Sequence, residues 1–159
     1  MKDFKFGEGY TVVPLVIQEG TVNLESNFVD VGTAHWCSFL LAFGDCDTAI
    51  GVTVEAASAA ATTSGEAIGF YYRLSGAVSA GSDTWGAITT CDSSGFSLTA
   101  ATDTGKLTLI EVDPASLPAG KNFVHVATAA TSYNSPTPAH VVIAVLDSRY
   151  SQNVHVSTT

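Results

Sequence analysis

The sequence has 159 residues, enough for one domain with a two-layer core. Charged residues make up only 13% of it, and fifteen carboxylates against six Lys and Arg give a net charge of −9. An acidic chain repels phosphate backbones and anionic lipid, which argues against binding to nucleic acid or to a membrane surface.

Residues 1–20 are predicted to form an extended N-terminal arm, followed by a β-sandwich domain over residues 21–159. Phe4, Phe6 and Tyr10 stand among glycines and charged residues in this arm. They are too sparse to make a core but suit anchoring in the groove of a partner. The segment lacks the apolar run of a secretory signal, so we expect synthesis in a reducing cytoplasm.

Short apolar or alternating segments recur along the chain between clusters of turn-forming residues, which is typical of β-strands. The predicted strands are 11–17, 21–24, 27–31, 36–43, 49–56, 67–74, 84–90, 95–99, 106–112, 122–129 and 139–147. The segment 107–112 mostly alternates, so one face should meet water. In contrast, 140–146 is apolar throughout, as expected of a strand covered on both sides or paired at an interface. The pattern predicts an all-β fold, a two-sheet antiparallel sandwich that is jelly-roll-like.

Helix should be confined to a turn or two near Pro114, where Asp113 is a suitable N-cap and proline suits the first helical position. The tripeptide Asp103-Thr104-Gly105 occurs in aspartic proteases, which need two such carboxylates together. Here Lys106 follows it, and a hairpin turn is expected instead. An enzyme would need a pair such as Asp45 with Asp103 in one cleft. We expect no catalytic residue and no enzymatic activity.

The histidines and cysteines show no metal-ligand spacing and no C-x-x-C pattern. They are His35, His125, His140, His155, Cys37, Cys46 and Cys91. We therefore expect no metal site, no cofactor and three unpaired thiols.

Aromatic residues could form a stacking platform for sugars, because an aromatic ring can pack against the apolar face of a sugar. Trp36 lies within an apolar strand, and Tyr71 and Tyr72 must point to opposite faces of theirs. Packing in the core or at an interface is therefore expected for Trp36. Trp85 remains a candidate binding residue.

Soft strand and turn patterns extend from about residue 28 to residue 150. They are 39–43, 52–57, 83–85, 110–113 with Leu117 and Gly120, 123–126, and the closing Leu146-Asp147-Ser148-Arg149-Tyr150. In these features the chain resembles a group of small proteins encoded with the structural genes of tailed bacteriophages.

The resemblance implies a non-enzymatic virion structural protein, a decoration or cement protein on the capsid surface, made in the host cytoplasm. Its partners would be the major capsid protein and its own copies, as a homotrimer or dimer. The alternatives are a neck, tail or fibre-associated structural protein and a carbohydrate-binding β-sandwich module. The candidate partner-binding residues are Phe4, Phe6, Tyr10, Trp85, Arg149 and Tyr150.

Overall fold

Antiparallel strand pairing organises the chain into two sheets, sheet A and sheet B. The computed structural model describes residues 10–19, 23–43, 49–60, 65–77, 84–103, 105–130 and 139–148. The strands in these ranges are β1 (Tyr10–Glu19), β2 (Asn23–Glu25), β3 (Val29–Asp30), β4 (Ala34–Phe43), β5 (Ile50–Ala57), β6 (Glu66–Ile68), β7 (Phe70–Leu74), β8 (Thr89–Cys91), β9 (Phe96–Leu98), β10 (Leu107–Val112), β11 (Phe123–Ala130) and β12 (Ala139–Ser148). Sheet A has the order β1-β12-β4-β10-β7-β8, and sheet B has the order β2-β11-β5-β6 with β3 on β11 and β9 on β5. The antiparallel two-sheet sandwich expected from the sequence is confirmed.

The core lies between the sheets and follows the period of two that strands impose on their side chains. On β4, Phe39 and Leu41 are fully buried, and on β5 Val52 and Val54 are fully buried. These strands belong to opposite sheets, so their inward residues form one apolar cluster. The polar residue Thr53 alternates with the buried residues of β5 and lies on the outer face of sheet B.

Helix is restricted to two short elements in the described ranges, α1 (Ala100–Asp103) and a 3-10 helix (Pro114–Ser116). The predicted helical turn is confirmed at Pro114, where a carboxylate oxygen of Asp113 accepts a hydrogen bond of 2.8 Å from the Ala115 N–H. The turn predicted at 103–105 is present, since the Lys106 N–H donates to the Asp103 carbonyl oxygen at 3.1 Å, but it is not a hairpin turn. It follows the helical turn that ends at Asp103 and leads into β10, which does not pair with β9. In that helical turn the Asp103 carboxylate accepts the Thr99 N–H at 2.8 Å.

The predicted arm needs a second correction. Tyr10–Glu19 is the outermost strand of sheet A among the described residues and pairs with β12. Its register shifts between Pro14 and Val16, which gives a bulge that carries the buried Leu15. The apolar residues around the bulge pack on the core, so the described half of the predicted arm belongs to the sandwich. Residues 1–9, with Phe4 and Phe6, lie outside the described residues.

Candidate binding surface

The outer face of sheet A is unusually apolar for a sheet face that points away from the core. On β12, Val142 and Ala144 are buried in the core. The residues between them, such as Ile143, must point outward because side chains alternate along a strand. Ile143 is half-buried, although it faces away from the sandwich core. The apolar run predicted at 140–146 therefore supplies apolar side chains alternately to the core and to the outer face of sheet A.

The register extends this apolar surface across four strands. Ile143 lies opposite Pro14 on one side and Leu40 on the other, and Leu40 lies opposite Leu109. Directly paired residues share a face of the sheet. The neighbouring rows add further outward residues in the same way. We call this surface the apolar field, made of Val12, Pro14, Leu40, Ala42, Leu107, Leu109, Val141, Ile143 and Val145.

Exposure within the apolar field varies from half-buried to open. Val12 and Leu107 are 43% and 38% exposed, values high for large aliphatic residues. Pro14 is also exposed. Contiguous exposed apolar patches mark interaction sites more often than isolated exposed residues do. The field is therefore the leading candidate for a binding surface.

Aromatic and charged side chains border the field in a connected network. The Trp36 indole N–H donates to Glu111 Oε1 at 3.4 Å, and Arg73 Nη2 lies 3.3 Å from Glu111 Oε2. The Arg73 guanidinium carbon lies 5.9 Å from the centre of the Trp85 ring, within range of a cation–π contact. Tyr71 pairs with Glu111 and is 42% exposed. We call Trp36, Tyr71, Arg73, Trp85 and Glu111 the aromatic rim.

The charges of the aromatic rim are paired with each other. Glu111 has contacts with both Trp36 and Arg73, and the Arg73 Nε is buried without a hydrogen-bond partner. Paired opposite charges leave little net field around Arg73 and Glu111, although the exposed Asp147 lies opposite Trp36 on the same face and the whole chain carries −9. The rim is thus polar but nearly neutral.

Of the predicted binding residues, Tyr10 and Trp85 are described, and both lie at this face of sheet A. Tyr10 pairs with Asp147 and lines a pocket of about 240 Å³ together with Trp36, Ser38 and Val145. The network from Trp36 through Glu111 and Arg73 leads from this pocket to Trp85. Arg149 and Tyr150 lie outside the described residues.

Sequence reasoning placed the tyrosines correctly but missed the ion pair. Tyr72 points into the sandwich and stacks on Phe96 with ring centres 3.9 Å apart, whereas Tyr71 is exposed. The predicted opposite orientation of the tyrosines is confirmed. Arg73 and Glu111 were not singled out, although strand alternation places both on the outer face. Only the register of β7 with β10 shows that they meet.

A second polar network lies on sheet B and has a structural role. His125 is 2% exposed, with Nδ1 3.1 Å from the Ser26 carbonyl oxygen and Nε2 3.3 Å from Glu55 Oε2. Phe28 stacks on the imidazole at 3.9 Å, and Glu55 Oε2 also accepts the Gly65 N–H. Both ring nitrogens are engaged and the ring is covered, so His125 holds neighbouring segments together rather than meeting a ligand.

A shallow pocket of about 600 Å³ also opens on sheet B, but its lining favours no particular ligand. Thr53, Ala127 and Ala129 contribute small side chains, Gly51 contributes backbone only, and Glu55 is already bound to His125. In the part of the chain that the structure describes, no group of three or more His, Cys, Asp or Glu side chains could hold a metal ion.

The described cysteines are free and buried. Burial raises the pKa of the Cys37 thiol to about 12. Burial, and then the negative charge of Asp92, raise the pKa of Cys91. Both thiols are therefore protonated at neutral pH and poor nucleophiles. The prediction of unpaired thiols is confirmed for these two, and Cys46 lies outside the described residues.

Comparisons with known proteins give one distant likeness. No protein-family model matches the chain, and no curated protein matches its sequence. Among solved structures it is similar to one described as the crystal structure of the SPBc2 prophage-derived protein YomS. The TM-score is 0.42 and the sequence identity 12%, over 86% of this chain and 92% of that chain. At this level the likeness establishes neither a shared fold nor a shared function.

No helix in the described ranges is long and apolar enough to cross a membrane.

Proposed function

We propose that this chain is a non-enzymatic virion structural protein, a decoration or cement protein that binds the phage capsid and stabilises the head. The observation that carries the proposal is the apolar field with its aromatic rim. An apolar centre bordered by Trp, Tyr and Arg is the usual composition of a protein-binding interface. The resemblance of residues 28–150 to small phage structural proteins supplies the virion context.

The chemistry of the described side chains favours binding over catalysis. The thiols of Cys37 and Cys91 are buried and held protonated. His125 is covered, and both its nitrogens are engaged. The carboxylate of Glu111 is occupied by its neighbours in the aromatic rim. These four side chains are thus committed to holding the fold.

A binding surface on strands also suits a cement protein. The apolar field lies on β1, β12, β4 and β10, which are joined by continuous backbone pairing. A partner that docks there loses little freedom in the surface itself, so more of the contact energy remains for binding. On a lattice, several weak contacts to neighbouring subunits combine into strong attachment. Residues 1–9 precede β1 and would add a contact to the major capsid protein.

The test is a count of this chain in purified virions by quantitative mass spectrometry. A decoration protein should be present at a fixed ratio to the major capsid protein, as one or more copies for each capsomer. Particles stripped of the chain should lose their contents at a lower temperature and regain resistance when the chain is added back. A few copies per particle would move the protein to the neck or tail, and its absence from virions would contradict the proposal.

The aromatic rim favours saccharide binding as a second candidate function. Tyr71 and Trp85 are exposed beside the Arg73–Glu111 pair, so stacking surfaces and hydrogen-bonding groups lie together. The chain has two tryptophans, and both belong to the rim, so tryptophan emission reports on this surface alone. A glycan array followed by fluorescence titration tests the candidate. Binding should be lost in Trp85→Ala and kept in Trp85→Phe, and an array without hits would contradict it.

A further inference from the structure

We infer that the partner of the apolar field is a second copy of this chain, bound sheet A to sheet A across a two-fold axis. The inference rests on the proposed function and divides its contacts: the apolar field binds a second copy of the chain, and the surface outside the field remains free for the major capsid protein. It concerns a dimer in solution, before any particle is present.

The size of the face suits a dimer. Three strands of sheet A, β1, β4 and β12, are ten residues long. With about 3.3 Å per residue and about 4.8 Å between strands, these strands together with the six residues of β10 and the five of β7 cover roughly 650 Å². Standard protein interfaces bury roughly 600–1,000 Å² on each partner. One copy of sheet A therefore offers an area at the lower end of what a stable dimer needs.

The shape of the face suits its own copy. Two sheets with the same twist stack face to face with their strands about 30° apart, as they do inside sandwiches. A two-fold axis through the row of Ile143, Leu40 and Leu109 would place apolar residues against apolar residues in both copies. Pro14 and Arg73 end this row on the two sides. The residues of sheet A are therefore sufficient to form the contact between the two copies.

The charge distribution also permits self-association. The apolar field contains no ionisable side chain, and the nearby charges of Arg73 and Glu111 neutralise each other. The exposed Asp147 adds a negative charge on the same outer face beyond Val145. The net charge of −9 resides mainly elsewhere and repels a second copy at long range. Salt screens such repulsion over about 8 Å at physiological ionic strength. Dimerisation should therefore strengthen as salt increases.

The experiment is sedimentation velocity of the full chain over a range of concentrations, with tryptophan emission recorded on the same samples. We expect a monomer–dimer equilibrium, with a blue shift of the emission as Trp36 and Trp85 lose contact with water. Raising ionic strength from about 0.02 M to about 0.5 M should lower Kd several-fold.

Variants at Ile143 test the surface. Ile143→Ser should raise Kd about 100-fold, because a two-fold interface contains each substitution twice. Ile143→Val keeps an apolar side chain and should raise Kd by at most about tenfold. Leu107→Ser guards against a folding defect at Ile143, since Leu107 is 38% exposed and should tolerate a polar residue.

Three results would overturn the inference: a wild-type chain that remains monomeric at about 100 μM, Kd values unchanged by both serine substitutions, or an emission shift on adding saccharide without any dimer. A dimer that is missing from virions would instead overturn the proposed function and leave this inference standing. A monomer that decorates particles fully would overturn this inference and leave the proposed function standing.

Discussion

Gly95 lies at the turn by which the chain passes from β8 in sheet A to β9 in sheet B. Its φ is +77°, and an added Cβ would collide with the Val52 carbonyl oxygen of β5. The Gly95 N–H also bonds to the Asp92 carbonyl at 3.2 Å. Glycine is thus required here for two reasons, its left-handed backbone and the close approach of another strand.

Gly95→Ala should lower the free energy of unfolding by more than about 3 kcal/mol, since backbone strain adds to overpacking against β5. Gly105→Ala is the matched control, because Gly105 has a φ of +73° and open space around it. It should cost only about 1–2 kcal/mol for the left-handed conformation. Urea denaturation of both variants measures the difference. Equal losses of unfolding free energy in the two variants would contradict a steric clash between the added Cβ at position 95 and β5.

Cys37 gives an alkaline limit to stability. Burial raises the pKa of this thiol from 9.0 to about 12, so the unfolded chain loses the proton near pH 9 while the folded chain keeps it. The contribution is fully present below pH 9 and is lost as pH rises towards 12. Between these values the free energy of unfolding should fall by up to about 1.4 kcal/mol per pH unit from this group.

Denaturation curves of the wild type and Cys37→Ala at pH 8, 9, 10 and 11 test this contribution. The substitution leaves the other titrating groups in place, so their effects cancel in the difference between the two proteins. The variant should be less stable at pH 8 but should lose less stability at higher pH. Curves that fall in parallel would show that Cys37 carries none of the alkaline dependence.

At the scale of elements, the local sequence pattern predicted most strands, because the apolar residues that form the buried face of a strand lie within that one segment. The alternation in 107–112 and the run at 139–147 match β10 and β12 closely. The strand predicted at 84–90 is shorter, since Trp85 makes only an isolated bridge with Ser75 before Thr89–Cys91 pairs with β7. Which strands are neighbours depends on contacts between distant segments, which no local pattern records.

The network around His125 fixes the segment that follows β2 onto β11. His125→Ala would remove the ring stacked on Phe28 and leave the Ser26 carbonyl and Glu55 without their partner. We expect a loss of about 2–4 kcal/mol in the free energy of unfolding. His35→Ala is the control, because His35 is exposed on β4 and its removal should change stability by less than about 0.5 kcal/mol. Similar small losses for both would contradict a structural role of His125.

For the whole molecule, the boundary of the N-terminal arm can be tested by truncation. Deleting residues 2–9 removes no described strand, so thermal stability should be unchanged while occupancy on particles falls. Deleting residues 2–14 also removes half of β1 with its pairing to β12, and Tm should fall clearly. Thermal scans and a competition for particles against the intact chain measure both effects. Full decoration by the shorter truncation would exclude a capsid contact by residues 2–9.

The binding surface could be anticipated from the sequence only in fragments. The apolar run at 140–146 indicated an interface, and Trp85 and Tyr10 were singled out one by one. The surface itself exists because β12 pairs with β4 and β4 with β10, which aligns Ile143, Leu40 and Leu109. These residues are about 35 or more positions apart in the chain. Their common face follows from the order of the strands in sheet A, which cannot be recognised from the local pattern of any one segment.

The proline and bulge in β1 have a consequence for behaviour at high local concentration. An open sheet edge invites further strands to add to it, and repeated addition leads to fibres. Pro14 cannot donate a backbone hydrogen bond, and the shift at Val16 breaks the regular spacing that an added strand would need. Copies crowded side by side can therefore meet at this edge through their side chains without adding strand to strand through their backbones.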